Sequence, residues 1–172
     1  MFPQVSFRLS VPVLIFFVLA CAGVVALFWL VSPAHQEVVK FAAELLGGAT
    51  AIYALFMNAQ SARNAAARRF IERWMDPNFA SFRTVLTELL EKEKPDDLHR
   101  QTLIAILNFW EEIAIAVFAH EASELLLQDF FNTMVLRTFA VTQVWINKER
   151  NTKKYPTAYI QFENLYNRWR PK

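Results

Sequence analysis

Residues 38–62 read VVKFAAELLGGATAIYALFMNAQSA, and this stretch decides how the rest of the chain can be organised. Residues 45–62 carry no charged side chain. A helix of about 20 mostly apolar residues is long enough to cross the hydrocarbon core of a bilayer. We therefore predict a membrane span at about residues 38–57. Residues 58–74 contain neither Gly nor Pro, so the same helix is expected to continue beyond the span.

One face of this predicted span carries charged and small residues. Glu37, Lys40 and Glu44 are separated by three and four positions, which places them on one side of a helix. Small residues on the same side allow transmembrane helices to approach closely. Glu44 either pairs with Lys40 inside one helical hairpin or faces other copies of the span around a polar axis. The predicted pore or oligomer face consists of Glu37, Lys40, Glu44, Gly47, Gly48 and Ala51.

A second apolar run, residues 9–31, lies toward the N-terminus and contains no charge. It is longer than the apolar region of a cleavable signal peptide, and we predict that it is an uncleaved first span joined to the second by a turn at residues 32–36. Arginines flank the two spans at position 8 and after position 62, whereas the turn has none, so the positive-inside rule places both termini in the cytoplasm. The predicted domains are a transmembrane hairpin (1–62, spans about 9–31 and 38–57) and a cytoplasmic helical domain (63–172).

The composition excludes several classes of protein. The chain has 172 residues, of which 55% are hydrophobic and 20% charged, so it is not a disordered chain. No Gly occurs after Gly48, which excludes a glycine-rich phosphate loop or a nucleophile elbow from the C-terminal two thirds. One Cys and three His, without metal-ligand spacing, indicate no metal site. We predict no catalytic residue, no cofactor and no enzymatic activity.

The C-terminal two thirds of the chain are predicted to be all-α. Period-two alternation is absent between Pro95 and Pro156, which argues against a sheet, and the apolar spacing fits a compact bundle of four or five helices. Asp76 followed by Pro77 is typical of a helix start. Helices are predicted from there to about residue 94, from about 95 to 120, from 123 through 144 and from 157 to 169, with a turn at 151–156.

The segment LNFWEEIA, residues 107–114, places polar groups inside an apolar helix. Asn108 and Glu112 share a face, and Glu111 lies beside them. Buried carboxylates are rare unless they are paired, and Arg168 is one candidate partner. Acid–base catalysis is the alternative, but no nucleophile or metal ligand accompanies the pair. The predicted buried polar network consists of Asn108, Glu111, Glu112, Arg137 and Arg150.

Charge is segregated along the chain, although the net charge is only +2. Residues 88–129 hold ten acidic and three basic side chains, whereas residues 130–172 hold eight basic and two acidic ones. The basic tail either packs on the acidic helices or binds an anionic partner. For the second case the predicted binding residues are Lys148, Lys153, Lys154, Arg168 and Arg170.

Several of these motifs occur in a fixed order: LNFWEE at 107–112, then Arg137, Arg150 and YIQFENLYNRW at 159–169. Over about residues 60–170 this order resembles an uncharacterised bacterial family catalogued as domain of unknown function 4760. The resemblance implies a membrane segment followed by a helical domain, located in a bacterial inner membrane, and implies no activity. In architecture alone, the chain is also similar to small membrane accessory proteins of bacterial antiviral (CRISPR-type) loci, some of which form pores.

Together these patterns predict a non-enzymatic, oligomeric inner-membrane protein. It would act as a pore-forming or membrane-perturbing effector or accessory in antiviral defence, coupled to a signal through its cytoplasmic helical domain. The alternative is a membrane-tethered module that recruits RNA, a nucleotide or a protein through its basic C-terminal region. The expected partners are the lipid bilayer and further copies of the chain.

Overall fold

The computed structural model describes residues 33–93, 95, 100–153 and 155–171, together with residues 19, 22, 23 and 26. Over these residues the chain is helical and has no strand, which confirms the all-α prediction. The predicted first span, residues 9–31, lies outside the described residues except at those four positions, and the hairpin that depends on it stays a prediction. The bounds of the helices among the described residues are α1 Pro33–Met75, α2 Ala80–Lys92, α3 Arg100–Phe118, α4 Glu124–Lys153 and α5 Ile160–Trp169.

Helix α1 is one continuous helix of 43 residues. The prediction that the helix of the second span runs on beyond residue 57 is confirmed. The predicted turn at 32–36 is wrong from Pro33 onward, because the helix begins there. Proline is well suited to the first position of a helix, where its missing N–H has no helical partner to lose.

The chain divides after Met57 into two compact units. The first unit contains the N-terminal part of α1, including the predicted second span. The second unit, Asn58–Lys172, contains the rest of α1 and the other four helices.

Local signals account for most helix boundaries in the second unit. Asp76 Oδ1 accepts a hydrogen bond from the N–H of Asn78 at 2.7 Å, and Pro77 opens a 3-10 turn that leads into α2, so the predicted helix start is confirmed. Helix α2 ends at Lys92, two residues before the predicted end at about residue 94, because Glu93 adopts a left-handed conformation (φ 54°). The predicted turn at 151–156 is wrong for its first three residues, which belong to α4.

The core of the second unit is built largely from aromatic rings. Trp74 of α1 stacks on Phe109 of α3 with ring centroids 5.5 Å apart, and Trp110 meets Phe131 of α4 edge-on at 5.5 Å. Such pairs add about 0.5–1.5 kcal/mol beyond the burial of their area. Phe162 of α5 is fully buried against the same cluster. The second unit therefore has a dense core of its own to which every helix except the N-terminal part of α1 contributes.

Candidate functional site

Two of the described helices, α1 and α3, are long and apolar enough to cross a membrane. The core helix of a soluble protein passes the same test, and half of the apolar window of α3 is buried inside the second unit. None of the apolar window of α1 is buried. Ile52 and Leu55 are each 70% exposed, and every residue from 44 to 60 is exposed. The N-terminal part of α1 is therefore the large uncovered apolar surface among the described residues.

The charged residues of the polar face predicted on this part of α1 are exposed in the structure. Glu37, Lys40 and Glu44 are all exposed and make no ion pair with each other or with other described residues. Thr50, nearby on α1, donates its hydroxyl to the carbonyl of Leu46 at 2.7 Å. The pairing of Glu44 with Lys40 within one chain is thus not formed in the described part of the structure.

Among the described residues, no packing contact requires the two adjacent glycines of this face. A Cβ atom added at Gly47 or at Gly48 would meet no atom within 4 Å. Glycine inside a helix costs about 1 kcal/mol relative to alanine, so two in succession weaken α1 without any compensating contact. What the glycines provide is a flat surface that a neighbouring helix can approach closely.

A second polar feature lies at the start of α5, where Glu111 of α3 caps the helix. Its Oε2 accepts the N–H of Phe162 at 2.7 Å, and its Oε1 accepts the N–H of Gln161 at 3.3 Å. These amides belong to the first turn of a helix, where no carbonyl of the helix itself can satisfy them. Tyr159, which precedes α5 in a left-handed conformation (φ 57°), makes no side-chain cap. Glu111 therefore supplies from another helix the cap that the local sequence lacks.

Arg150 of α4 holds the turn that precedes α5. Its Nε donates to the carbonyl of Ala158 at 2.8 Å, and its Nη1 donates to Glu163 Oε2 at 2.7 Å. Its Nη2 is buried with no partner among the described atoms. The side chains of Arg150 and Glu163 are 15% and 31% exposed, so this pair is better shielded from solvent than the other ion pairs described.

The same region alters the ionisation of Tyr159. Burial raises the pKa of its hydroxyl above the ordinary 10.0, and the negative charges of Glu149 and Glu111 raise it further, while Arg100 opposes them. Arg100 also forms an ion pair with Glu149 at 2.8 Å. Charged groups from α3 and α4 therefore converge on the turn before α5.

Glu112, next to Glu111, points to a different helix. Arg73 of α1 binds it with two hydrogen bonds, at 3.1 Å and 2.7 Å. The guanidinium of Arg73 lies 4.8 Å from the ring centroid of Phe109, so it is also held by a cation–π contact. Both charged side chains are about half exposed, at 41% and 53%, and such pairs contribute about 1 kcal/mol or less.

The prediction of one buried network is therefore wrong. Asn108, Glu112 and Arg137 are exposed, and Arg137 donates to the carbonyl of Leu90 at 3.3 Å. Glu111 binds backbone amides, and Arg150 binds Glu163. Adjacent residues on a helix point about 100° apart, so Glu111 and Glu112 reach different neighbours.

The predicted basic surface is only partly available to a partner. Arg168 pairs with Glu124 at 2.6 Å, and the indole of Trp169 donates to the same carboxylate at 3.0 Å. This contact supports packing of the basic tail on the acidic region, residues 88–129, to which Glu124 belongs. Lys148 and Arg170 are exposed and have no ion pair among the described residues. Lys153 is the last residue of α4, and Lys154 lies outside the described residues.

Nothing in the described part of the chain resembles a metal centre, since no group of three or more His, Cys, Asp or Glu could hold an ion there. An open groove of about 360 Å³ lies between α2 and α3. Its lining contains no charged side chain and consists of Ser81, Phe82, Val85, Gln101, Thr102 and Ala105.

Comparison with known proteins gives one match. A family model described as "Domain of unknown function (DUF4760)" matches residues 41–169. The matched range starts within the apolar part of α1 and extends through α5, so it begins earlier than the resemblance in the sequence indicated. No curated protein and no solved structure matches the chain.

Proposed function

The chain belongs to the family of the domain of unknown function DUF4760, and we propose that it is a non-enzymatic membrane protein that self-associates through α1. In this proposal residues 38–57 cross a bacterial inner membrane as the second span of a hairpin formed by residues 1–62. Both termini and the helical domain, residues 63–172, lie on the cytoplasmic side. The observation that carries the proposal is the fully exposed apolar window of α1, interrupted by an unpaired polar face.

A bilayer is the environment that best suits this window. Burying a large apolar side chain is worth about 1.5–3 kcal/mol relative to leaving it in water. Soluble monomers rarely expose apolar patches larger than a few hundred Å², and the exposed side chains of α1 occupy all sides of the helix. The large apolar side chains exposed there are Val38, Phe41, Leu45, Leu46, Ile52, Tyr53, Leu55, Phe56 and Met57.

Self-association follows from the residues that lipid does not suit. Placing Glu44 toward acyl chains is unfavourable by about 2.5–3.5 kcal/mol near the centre of the bilayer, and less near its surface. A second copy of α1 can offer Lys40 to this carboxylate, and the flat surface at Gly47 and Gly48 lets the two backbones approach. When copies of the chain close into a symmetric ring, the polar face of each copy makes the same contacts with its neighbours.

A ring of this kind could line an aqueous path, and we extend the proposal to a pore or membrane-perturbing role. The setting that we propose is antiviral defence, with a signal received by the cytoplasmic helical domain. Support for this setting is architectural only: the chain is similar in plan to small membrane accessory proteins of bacterial antiviral loci. The pore itself is supported by the position of Glu44 on the exposed polar face.

The test is the oligomeric state of the full chain in mild detergent, measured by light scattering, with ion leakage from liposomes measured on the same samples. We expect a closed oligomer that Gly48→Leu weakens by blocking close approach. Ala49→Leu adds the same side chain about 140° around the helix from Glu44 and about 180° from Lys40, outside the polar face, so it is the matched control and should leave the oligomer intact. Glu44→Leu should abolish leakage and leave insertion intact.

Two results would contradict the proposal. A chain that stays monomeric in detergent and in liposomes would remove self-association, and normal leakage with Leu at position 44 would remove the pore. A cysteine introduced at position 34, in a chain with Cys21 replaced, should react with reagents applied outside the cell. Labelling from the inside alone would overturn the proposed topology.

A second candidate is a membrane-tethered module whose basic C-terminal region recruits RNA, a nucleotide or a protein. The exposure of Lys148 and Arg170 favours it, whereas the pairing of Arg168 with Glu124 removes one of its predicted contacts. RNA binding through such a surface should weaken linearly with salt on logarithmic axes. Lack of any binding at low salt would exclude the RNA form of this candidate.

A further inference from the structure

Four arginines follow the apolar window of α1, and the structure separates them into two kinds. Arg73 is engaged by Glu112 and packed over Phe109. Arg63, Arg68 and Arg69 are exposed and form no ion pair with any described residue. Three positive charges are therefore free within seven residues of one helix.

The packing of residues 58–75 of α1 within the second unit leaves these charges exposed. Ala67 and Trp74 point into the core, and the carbonyl of Arg63 accepts the N–H of Ser123 at 3.0 Å, so one side of the helix is covered. Arg68 and Arg69 are about 100° and 200° around the helix from Ala67, away from that side.

The carboxylates nearest in sequence to this contact do not neutralise the arginines. Glu124, next to Ser123, is occupied by Arg168 and Trp169. Glu72 is exposed on α1 one turn beyond Arg68 and makes no ion pair among the described residues. The exposed segment 63–69 thus keeps a positive charge that no ion pair with a described residue neutralises, and this charge is available to a partner.

The position of the charges along the helix indicates what that partner is. With a rise of 1.5 Å per residue, Arg63 lies about 9 Å beyond Met57, and Arg68 and Arg69 lie about 16–18 Å beyond it. The headgroup layer on each side of a bilayer is about 5–8 Å thick, and its surface potential extends roughly a further Debye length, about 10 Å at 0.1 M salt. The backbone of Arg63 therefore lies just beyond the headgroup layer, which its long side chain can reach, and Arg68 and Arg69 lie near the outer limit of the surface potential.

We propose that Arg63, Arg68 and Arg69 form a binding surface for the headgroups of anionic phospholipids where α1 leaves the bilayer. Arg63 contacts the phosphate or glycerol-phosphate groups directly, and Arg68 and Arg69 add a weaker attraction at longer range. Arg73 takes no part because its charge is already neutralised by Glu112. This lipid-binding surface rests on the proposed insertion of α1 into the membrane. The experiment must therefore distinguish failure of lipid binding from failure of insertion.

The experiment compares full-length chains purified in mixed micelles of phosphatidylglycerol and phosphatidylcholine. The lipid that stays with the protein is extracted and its ratio to the bulk micelle is measured by mass spectrometry at about 0.05 M salt. The variants are Arg63→Gln, Arg68→Gln with Arg69→Gln, and Lys148→Gln as the control. Lys148→Gln also removes one exposed, unpaired charge, and Arg63 contributes only its backbone to the fold, so all of these chains should fold.

We expect the phosphatidylglycerol preference to fall about fivefold in Arg63→Gln, which corresponds to about 1 kcal/mol for a basic residue at the membrane surface. The double variant should show a smaller loss, Lys148→Gln should show none, and all differences should vanish near 1 M salt, where the Debye length is about 3 Å. An unchanged preference in Arg63→Gln, or an equal loss in Lys148→Gln, would overturn the proposal. Loss of RNA binding in Arg63→Gln with an unchanged lipid ratio would assign the surface to nucleic acid and would also overturn it.

Alkaline carbonate extraction of membranes separates this result from the proposed insertion. If carbonate releases the chain, α1 does not span the bilayer, and the same variants are then compared by sedimentation with phosphatidylglycerol vesicles. Binding that weakens about fivefold in Arg63→Gln would support the lipid surface without the span. Absence of binding to those vesicles would overturn the lipid surface as well.

Discussion

Helices α1 and α3 contain equally suitable membrane-spanning windows by length and composition, yet only one of them is covered by protein. In α3, Leu103, Ile106 and Ile113 are fully buried among the other helices of the second unit. In α1, side chains of the same kind are about two thirds exposed. Apolar composition alone therefore does not identify a membrane span, and what separates α1 from α3 is the share of the apolar window that other described residues cover.

The carboxylates of α1 and α3 also differ in whether they find partners within the described residues. Glu111 and Glu112 interrupt the apolar sequence of α3, and each finds donors within the second unit. Glu44 interrupts the apolar sequence of α1 and finds no ion-pair partner among the described residues. Among the described residues, α3 therefore satisfies its carboxylates within the second unit, whereas Glu44 of α1 stays without an ion pair.

The largest effect should come from removing a core ring of α3. Trp110 is fully buried and contacts the rings of Trp74, Phe131 and Phe162. We expect Trp110→Ala to destabilise the second unit by about 3–5 kcal/mol, a large part of the stability of a typical domain. Thermal unfolding of the full chain in detergent, followed by circular dichroism, measures this loss.

The matched control truncates an apolar residue of α1. Leu55 is 70% exposed, so Leu55→Ala should leave the unfolding of the second unit unchanged. If Leu55→Ala lowered the melting temperature as much as Trp110→Ala, the exposed window of α1 would be covered by protein in solution, and the contrast between the two helices would disappear.

A charge placed in each window should produce the second largest effect. Lysine near the middle of a span costs about 2.5–3.5 kcal/mol, so Ile52→Lys should shift α1 out of the membrane. Ile115 of α3 is 51% exposed on the second unit, and Ile115→Lys should leave membrane association unchanged. Because the proposed first span would anchor both variants, the measurement is the reaction of a cysteine placed at position 49, in a chain with Cys21 replaced, with a water-soluble thiol reagent. Equal protection of this cysteine in both variants would contradict the proposed span in α1.

Local sequence signals were sufficient for most of the fold. Asp76 and Pro77 act within a single turn, and their effect is visible in the sequence because cap and helix are neighbours. The end of α4 was misplaced because polar residues at 151–153 are typical of a turn, whereas Pro156 excludes the helical conformation only from its immediate vicinity. Three helix boundaries use left-handed residues other than Gly, namely Glu93, His120 and Tyr159. No Gly occurs after position 48 to mark such boundaries in the sequence.

The polar contacts were less predictable because they depend on which helices meet. Arg73 lies 39 residues before Glu112, upstream of the arginines considered as partners. Glu111 binds backbone amides of α5, and a backbone N–H has no signature in the sequence. The resemblance to domain 4760 was predictable from the order of motifs, and the family match confirms it.

The two adjacent glutamates of α3 sharpen the contrast between shielded and exposed polar contacts. Glu111→Ala leaves two amides of α5 without their acceptor and should cost about 2 kcal/mol. Glu112→Ala removes an exposed ion pair and should cost about 1 kcal/mol or less. Glu111→Gln keeps one acceptor oxygen and should recover part of the loss. Chemical unfolding of the three variants measures these differences, and a greater loss for Glu112→Ala would show that the exposed pair matters more than the cap.

The smallest effect concerns pH and again depends on the turn before α5. Because burial and then the charges of Glu149 and Glu111 raise the pKa of Tyr159 above 10.0, the folded chain holds the phenolic proton more tightly than the unfolded chain does. The stabilisation from this group is therefore complete below pH 10 and is lost as the pH rises through the pKa of the folded state. Tyr159→Phe should reduce the fall in unfolding free energy as the pH rises above 10.

Ultraviolet titration of the phenolate identifies the same group directly. The difference between the titrations of the unsubstituted chain and Tyr159→Phe isolates the ionisation of Tyr159. In Glu111→Gln this ionisation should move to lower pH, because one of the negative charges that oppose it has been removed. If Tyr159 titrated at the same pH in both backgrounds, Glu111 would not act on the hydroxyl, and its role at the start of α5 would be limited to the two amides that it caps.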